Sequence, residues 1–281
     1  ARQMGIPTIG AFHMQPESIT FTIGIGNCKA ANDLIYKWCY NGFYKRFSHI
    51  HCPSRFIAGQ LKQHGYDAKL HVISNGVGSA FVPQEEKQKQ KSGNKFTVLM
   101  IGRLSAEKRQ DLIIEAARLS RYSDRLQLIF AGKGPKEATY KKQAKCLINP
   151  PVFGFYSQNE LISLINGCDL YVHASDAETE GISCMEAFSC GLVPVISDSP
   201  RSATNQYALN EHCLFRAGDA NSLAGRLDYW TEHPDKRQTL GAEYAQLGNT
   251  LRVNECVRQA EGMYEEAIED YKKYGYKNSC R

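Results

Sequence analysis

The sequence has no Cys-x-x-Cys pair, no Asp-x-Asp pair and no strong excess of one charge. It also has no apolar run near the ~20 residues that a membrane-spanning helix needs. Each absence removes a class of protein. The ten cysteines are scattered, and Cys168, Cys184 and Cys190 fall in or beside apolar segments. They read as buried thiols of a reduced, cytoplasmic protein and not as a disulfide framework. Cys184 with Cys190 is too sparse a set of ligands for zinc. The 34 basic and 29 acidic residues leave a net charge of +5, too mild to mark a nucleic-acid binder. What remains is a globular composition, 42% hydrophobic and 22% charged, able to bury a real core. At 281 residues the chain suits two domains, given about 100 to 200 residues for each.

Strand-like and helix-like patterns alternate along most of the chain. The first series reads as a strand from Ile6 to Phe12, a polar loop, a helix from Lys29 to Phe47 and a strand from His49 to Cys52. A helix opened by Pro53 and Ser54 and a strand ending at Ile73 complete it. The Gln- and Lys-rich run at 84–95 has the composition of a linker. A second series follows, with strands at 96–102, 126–132, near Val152, at 169–175 and at 192–197, separated by helices. After Ser202 the pattern is helical, ending in a helix from Glu255 to Tyr274. Such alternation predicts parallel sheets covered on both faces, with ligands at the carboxyl ends of the strands.

The most informative stretch is EGISCMEAFSCG, 180–191, taken with Glu178. DLYVHAS before it is a buried-strand pattern, Gly181 turns the chain, and Ile182 to Cys190 reads as a mostly buried helix stopped by Gly191. A helix N-terminus placed after a glycine turn offers free amides to a phosphate. Glu178 and Glu186 then stand on either side of that anion site, one in the loop and one inside the helix. The alternative is an ordinary strand-to-helix connection with solvated acids. A second constellation, GRLSAEK at 102–108, ends the first strand of the second series. Gly102 permits a tight turn, and Arg103 and Lys108 supply a planar fork and a point charge, both suited to a diphosphate. By themselves, an Arg and a Lys in a loop are more often ordinary surface charges.

Together, GRLSAEKRQDLIIEA, AGKGP (131–135), VFGFYSQNEL (152–161) and Glu178 with Glu186 resemble the retaining family-4 glycosyltransferases. The resemblance is close over about residues 72–200 and looser elsewhere. It implies a GT-B fold, two Rossmann-like parallel-sheet domains facing a cleft. Residues 1–82 would form the acceptor-side domain and 83–254 the nucleotide-sugar domain, with a 255–281 helix returning to the first. It also implies that the first domain is incomplete, since a whole member has further strands and a glycine-rich loop before Ala1.

Carried over by position, the resemblance assigns the donor diphosphate to Gly102, Arg103, Lys108 and the amides near Gly181, Ile182 and Ser183. It assigns the ribose to Glu186, the transferred sugar to Glu178 and His13, and the base to the loop at Phe153–Tyr156, which includes Phe155. A lone histidine after a strand is more often structural or solvated. Glu180 departs from the family, which often has Phe there, and it raises the question of which acid faces the sugar. The implied reaction is hexosyl transfer from a nucleotide-sugar, a UDP-sugar above all, to a glycan or lipid-linked acceptor of surface polysaccharide or glycolipid synthesis. Its expected course is front-face attack without a metal or other cofactor, the leaving phosphate helping to take the acceptor proton. A sugar-nucleotide epimerase of the same fold and a non-catalytic nucleotide-binding fragment are the competing readings. The helix DLIYKWCYNGFYKRF, 33–47, mixes aromatic and basic residues. Peripheral contact with the inner face of a membrane is one expectation for it, and a helix packed on the sheet with a basic outer face is the commoner one.

Overall fold

The structure is a computed structural model in which residues 1–84 and 95–275 are described. Most of the linker expected at 84–95 lies outside the described residues. The chain forms two compact units. The first comprises Ala1–Gly76, Glu178–Glu180 and Val253–Arg281, and the second Val77–Ala177 and Gly181–Arg252.

In the first unit, β1 (Gly10–Ala11), β2 (His49–Cys52) and β3 (Lys69–Val72) form a parallel sheet in that order. Its helices are α1 (Pro16–Thr22), α2 (Lys29–Gly42), α3 (Arg55–Gln63) and, from the far end of the chain, α10 (Val253–Tyr274). Ser54 caps α3 by accepting from the Ile57 amide at 3.2 Å, as the Pro-Ser start predicts. Phe12, Tyr36, Ile50, Ile57 and Leu61 form its core. The strand expected from Ile6 shrinks to two residues, because Pro7 has no N–H to donate and β2 is the only described neighbour of β1. The expected polar loop contains α1, opened by Pro16, and the long helix ends at Gly42 and not at Phe47.

The second unit is a six-stranded parallel sheet. In chain order its strands are β4 (Phe96–Ile101), β5 (Leu126–Ala131), β6 (Val152–Gly154), β7 (Leu170–His173), β8 (Pro194–Ser197) and β9 (Leu214–Phe215). In space they run β6-β5-β4-β7-β8-β9, the Rossmann order 3-2-1-4-5-6. The helices are α4 (Gln110–Leu119), α5 (Glu137–Gln143), α6 (Gln158–Gly167), α7 (Ile182–Ser189), α8 (Ala220–Glu232) and α9 (Pro234–Thr250). All four residues of β7 and of β8 are buried, as expected of central parallel strands packed on both faces. Close backbone approach requires glycine at positions 132 and 134 beside the β4 loop. A Cβ at Gly132 would overlap the Gly102 carbonyl, and one at Gly134 would overlap that of Leu104. β9 is two residues long, too short to stand out in a region whose pattern is helical.

Candidate active site

Strands β4 and β7 are hydrogen-bonded neighbours, with Val98 opposite Leu170 and Leu99 opposite Tyr171. Chain order reverses between them, so their carboxyl ends flank the topological switch point, where open α/β sheets bind ligands. GRLSAEK leaves β4 and the Gly181 turn follows β7. The two constellations far apart in sequence are therefore brought to one sheet end of one unit.

The loop after β4 is held by its backbone. The Leu104 amide donates to the Lys133 carbonyl at 3.1 Å, the Lys136 amide to the Leu104 carbonyl at 3.0 Å, and Gln110 Nε2 to the Arg103 carbonyl at 2.9 Å. Tyr140 OH reaches the Ser105 carbonyl at 2.9 Å. The AGKGP glycines thus serve to let one loop seat another. Arg103 is exposed and Lys108 half-buried. Gly102 has φ of 154°, where a side chain is disfavoured.

After β7, Gly181 is the N-cap of α7 in a left-handed conformation, φ 88°, with no side-chain cap. Its carbonyl accepts from the Cys184 and Met185 amides, so those of Ile182 and Ser183 are the first-turn donors without an intrahelical acceptor. Ser183 Oγ lies 3.1 Å from the buried Tyr171 OH. Glu186 is half-buried one turn further on, and burial pushes its carboxyl up to about 7. Phe155, just past β6, is 71% exposed, with the Lys133 ammonium 4.9 Å from its ring centre.

Three residues that sequence reasoning did not single out join these loops. Arg109 is the one described non-glycine residue with positive φ, 57°, and its guanidinium pairs with Asp111 and, at 3.1 Å, with Asp176 Oδ2. Asp176 in turn donates its amide to the Glu107 carbonyl at 2.8 Å and accepts on its own carbonyl from Ser199 Oγ at 2.6 Å. No local pattern marks them, since their role depends on β4, β7 and β8 being neighbours.

Glu178–Glu180 pack in the first unit, where the partners of Glu180 are found. Its carboxylate accepts from Ser74 Oγ at 2.5 Å, the Asn75 amide at 3.1 Å and Asn75 Nδ2 at 2.5 Å, and only 1% of the residue is exposed. The carboxylate is thus taken up by partners inside its own unit. Burial raises its pKa, with the three donors opposing that rise. Glu178 is half-buried. His13 is exposed, and its Nε2 lies 3.2 Å from His51 Nδ1, while His51 Nε2 lies 2.7 Å from the Ile73 carbonyl. A carbonyl cannot donate, so His51 Nε2 carries the proton, His51 Nδ1 accepts from His13 Nε2–H, and His13 Nδ1 keeps its lone pair. Burial and the neighbouring His51 lower the His13 pKa. Both histidines line a groove of about 710 Å³ whose remaining walls include Ile6, Ile9, Met263 and Ile268.

A Rossmann-ordered sheet with a basic loop and a glycine-turned helix N-terminus at its switch point, together with a second parallel-sheet unit, defines an α/β protein of the GT-B class. The chain belongs to the glycosyl transferases group 1, which matches residues 82–246, and residues 1–80 match Glycosyltransferase Family 4. Among curated relatives, alpha-monoglucosyldiacylglycerol synthase of Streptococcus pneumoniae is 28% identical over 212 residues, 70% of this chain and 47% of that protein. A putative glycosyltransferase, EpsD of Bacillus subtilis, is 28% identical over 66% of this chain. The chain spans about half the length of these relatives. Among solved structures, the catalytic domain of cholesterol-alpha-glucosyltransferase from Helicobacter pylori is 42% identical, covering 55% of this chain and 98% of that one with a TM-score of 0.54. Anabaena HepE with UDP and glucose aligns over 93% of this chain and 71% of its own at 19% identity and a TM-score of 0.75. At that identity HepE speaks for the fold alone.

Proposed function

We propose that the protein transfers a hexose from a UDP-sugar to a lipid-linked acceptor with retention of anomeric configuration. The observation that carries this reading is the pairing of Arg103 and Lys108 with the Ile182 and Ser183 amides on adjacent strand ends, β4 and β7. Diphosphate departure builds negative charge, and fixed cations and amides stabilise it without reorganising. Glu186 takes the ribose hydroxyls. Phe155 and its loop take the base. His13 and Glu178 are assigned to the transferred sugar, Glu180 being occupied by Ser74 and Asn75. The bond from the acceptor oxygen to the anomeric carbon forms on the face from which the phosphate leaves. The acceptor proton passes to the departing phosphate oxygen, so the step needs no metal.

A lipid acceptor is favoured over a free glycan by the apolar groove that His13 borders. The lipid substrates in the names of two relatives, a diacylglycerol and cholesterol, point the same way. On α2, Trp38 is 72% and Leu34 68% exposed beside exposed Lys37, which suits peripheral contact with an anionic membrane on the cytoplasmic side. No helix of the described residues is long and apolar enough to cross a membrane. The test is transfer from labelled UDP-sugars to diacylglycerol, sterol and soluble glycan acceptors, with the product anomer read by NMR and EDTA added in parallel. Lipid products with the donor's configuration, formed in EDTA, are expected. A soluble-glycan preference, an inverted product or an EDTA-abolished rate would each overturn the corresponding part, and release of UDP with an epimerised free sugar would favour the epimerase.

A further inference from the structure

His49 on β2 and His71 on β3 meet nitrogen to nitrogen, His49 Nδ1 lying 2.9 Å from His71 Nε2, with their rings stacked at 5.2 Å. Two carboxylates of α10, one helical turn apart, face them. His49 Nε2 is 3.1 Å from Asp270 Oδ2, and His71 Nδ1 is 3.9 Å from Glu266 Oε2. Lys69 pairs with the same Glu266. None of these groups has a part in the transfer proposed above.

A proton count shows what this cluster lacks. Two neutral imidazoles carry two N–H protons. One goes from His49 Nε2 to Asp270, the other from His71 Nε2 to His49 Nδ1. His71 Nδ1 is then a lone pair directed at the Glu266 carboxylate, an acceptor facing an acceptor. The other tautomer of either ring only moves the mismatch to the His–His contact or to Asp270. A cation held between the two rings and Glu266, in place of the Lys69 ammonium, would resolve it.

We propose that this cluster is a divalent transition-metal site of the zinc class. One ring nitrogen of His49, one of His71 and a Glu266 oxygen are the ligands, and water completes the set. Such ligand atoms of these three residues lie within 4.8 Å of one another. Tetrahedral nitrogen and oxygen ligands at about 2.0–2.2 Å from zinc stand ~3.4 Å apart, so the site needs only small side-chain shifts. Glu266, on the exposed side of the cluster, can supply them. Two imidazoles with one carboxylate suit zinc and its neighbours and not calcium or magnesium, which need more oxygens. Asp270 acts behind His49, fixing which of its nitrogens is free, as carboxylates do behind metal-bound histidines. Lys69 is the built-in competitor, because the ion must displace its ammonium from Glu266. Bound there, the ion would fasten α10 to the sheet of the first unit.

The test uses the full chain with Cys28, Cys146 and Cys280 replaced by Ser, stripped of metal and titrated with Co²⁺ and then Zn²⁺. One equivalent of Co²⁺ should bind with visible tetrahedral bands and no sulfur charge-transfer band, be displaced by Zn²⁺, and raise the melting temperature. Asp270→Asn should weaken binding about 10–100-fold. Lys69→Met should tighten it several-fold, the direction opposite to that of a variant that merely damages the fold. Glu266→Gln, a change on the more open side of the cluster, should abolish the tetrahedral spectrum while leaving the metal-free melting temperature unchanged. No stoichiometric binding, a spectrum unaltered by Glu266→Gln, or weaker binding in Lys69→Met would overturn the proposal.

Discussion

The Asp176 amide donates to the Glu107 carbonyl at 2.8 Å, which ties the loop after β7 to the loop after β4 on opposite sides of the switch point. Arg109 closes the same link through side chains, 3.1 Å from Asp176 Oδ2, at the cost of a left-handed backbone at φ 57°. Strain of this kind persists only where surrounding contacts over-determine it. Here they fix the spacing between the basic loop and the α7 N-terminus.

Arg109→Ala should therefore act on both folding and donor binding. It leaves the mostly buried Asp176 carboxylate without its main partner, a loss of about 1–3 kcal/mol in urea denaturation. The Michaelis constant for the donor should rise several-fold, with turnover less affected, because the loops lose register while Arg103 and Lys108 remain. An unchanged donor constant in a destabilised variant would make Arg109 purely structural.

Glu186 gives a pH signature with a definite sign. Its folded-state pKa, about 7, exceeds the usual carboxylate value of 4.5, so folding favours the protonated acid. That contribution is full below 4.5 and is lost as pH rises through about 7. Glu186→Gln should thus be more stable than the parent by about 1–3 kcal/mol at pH 8, with the gap closing near pH 4. Donor binding should behave oppositely. Ribose hydroxyls donate best to the ionised carboxylate, so parent affinity should rise between pH 6 and pH 8, and Glu186→Gln should bind weakly and without that rise. Calorimetric titration with UDP at several pH values reads both.

Glu180 makes a different prediction, because its three donors lie within its own unit. Glu180→Ala removes the acceptor shared by the Ser74 hydroxyl and both Asn75 donors, and should cost about 0.5–1.5 kcal/mol for each hydrogen bond lost. Glu180→Gln, which keeps acceptor capacity at one atom, should recover part of the loss. In neither variant should the Kd for UDP change beyond about twofold when measured well below the melting transition. A large shift in that Kd with stability preserved would return Glu180 to the donor site.

Much of this was legible in the sequence, and the reason differs by region. β4, β7 and β8 are central parallel strands, so their apolar runs are nearly continuous and announce themselves. The Gly181 turn and GRLSAEK were placed at strand ends by the apolar runs before them, since each alone is an ordinary loop feature. What could not be read is what tertiary neighbours decide. β1 is cut short by its edge position and Pro7, and α1 is a single short helix with β-branched residues and no apolar stripe. The fate of Glu180 depends on Ser74 and Asn75, more than a hundred positions away. The same holds for Arg109 and Asp176, whose pairing appears only once β4 and β7 are adjacent.

The diphosphate assignment is the most exposed to refutation. Arg103 extends from a loop whose backbone contacts do not involve its side chain, and its carbonyl bond to Gln110 survives truncation. Arg103→Ala should leave stability within about 0.5 kcal/mol of the parent, as surface changes do. Charge-assisted bonds to phosphate contribute about 1.5–3 kcal/mol, so UDP affinity should fall roughly 10- to 100-fold. Arg103→Lys keeps the charge but loses the two-pronged fork, and should fall between. Lys108→Ala should weaken UDP comparably, and in both variants uridine without phosphates should bind as it does to the parent. Loss of uridine binding to the same extent would place these cations on the base or ribose. Unchanged UDP binding in both would remove the phosphate site from the β4 end altogether.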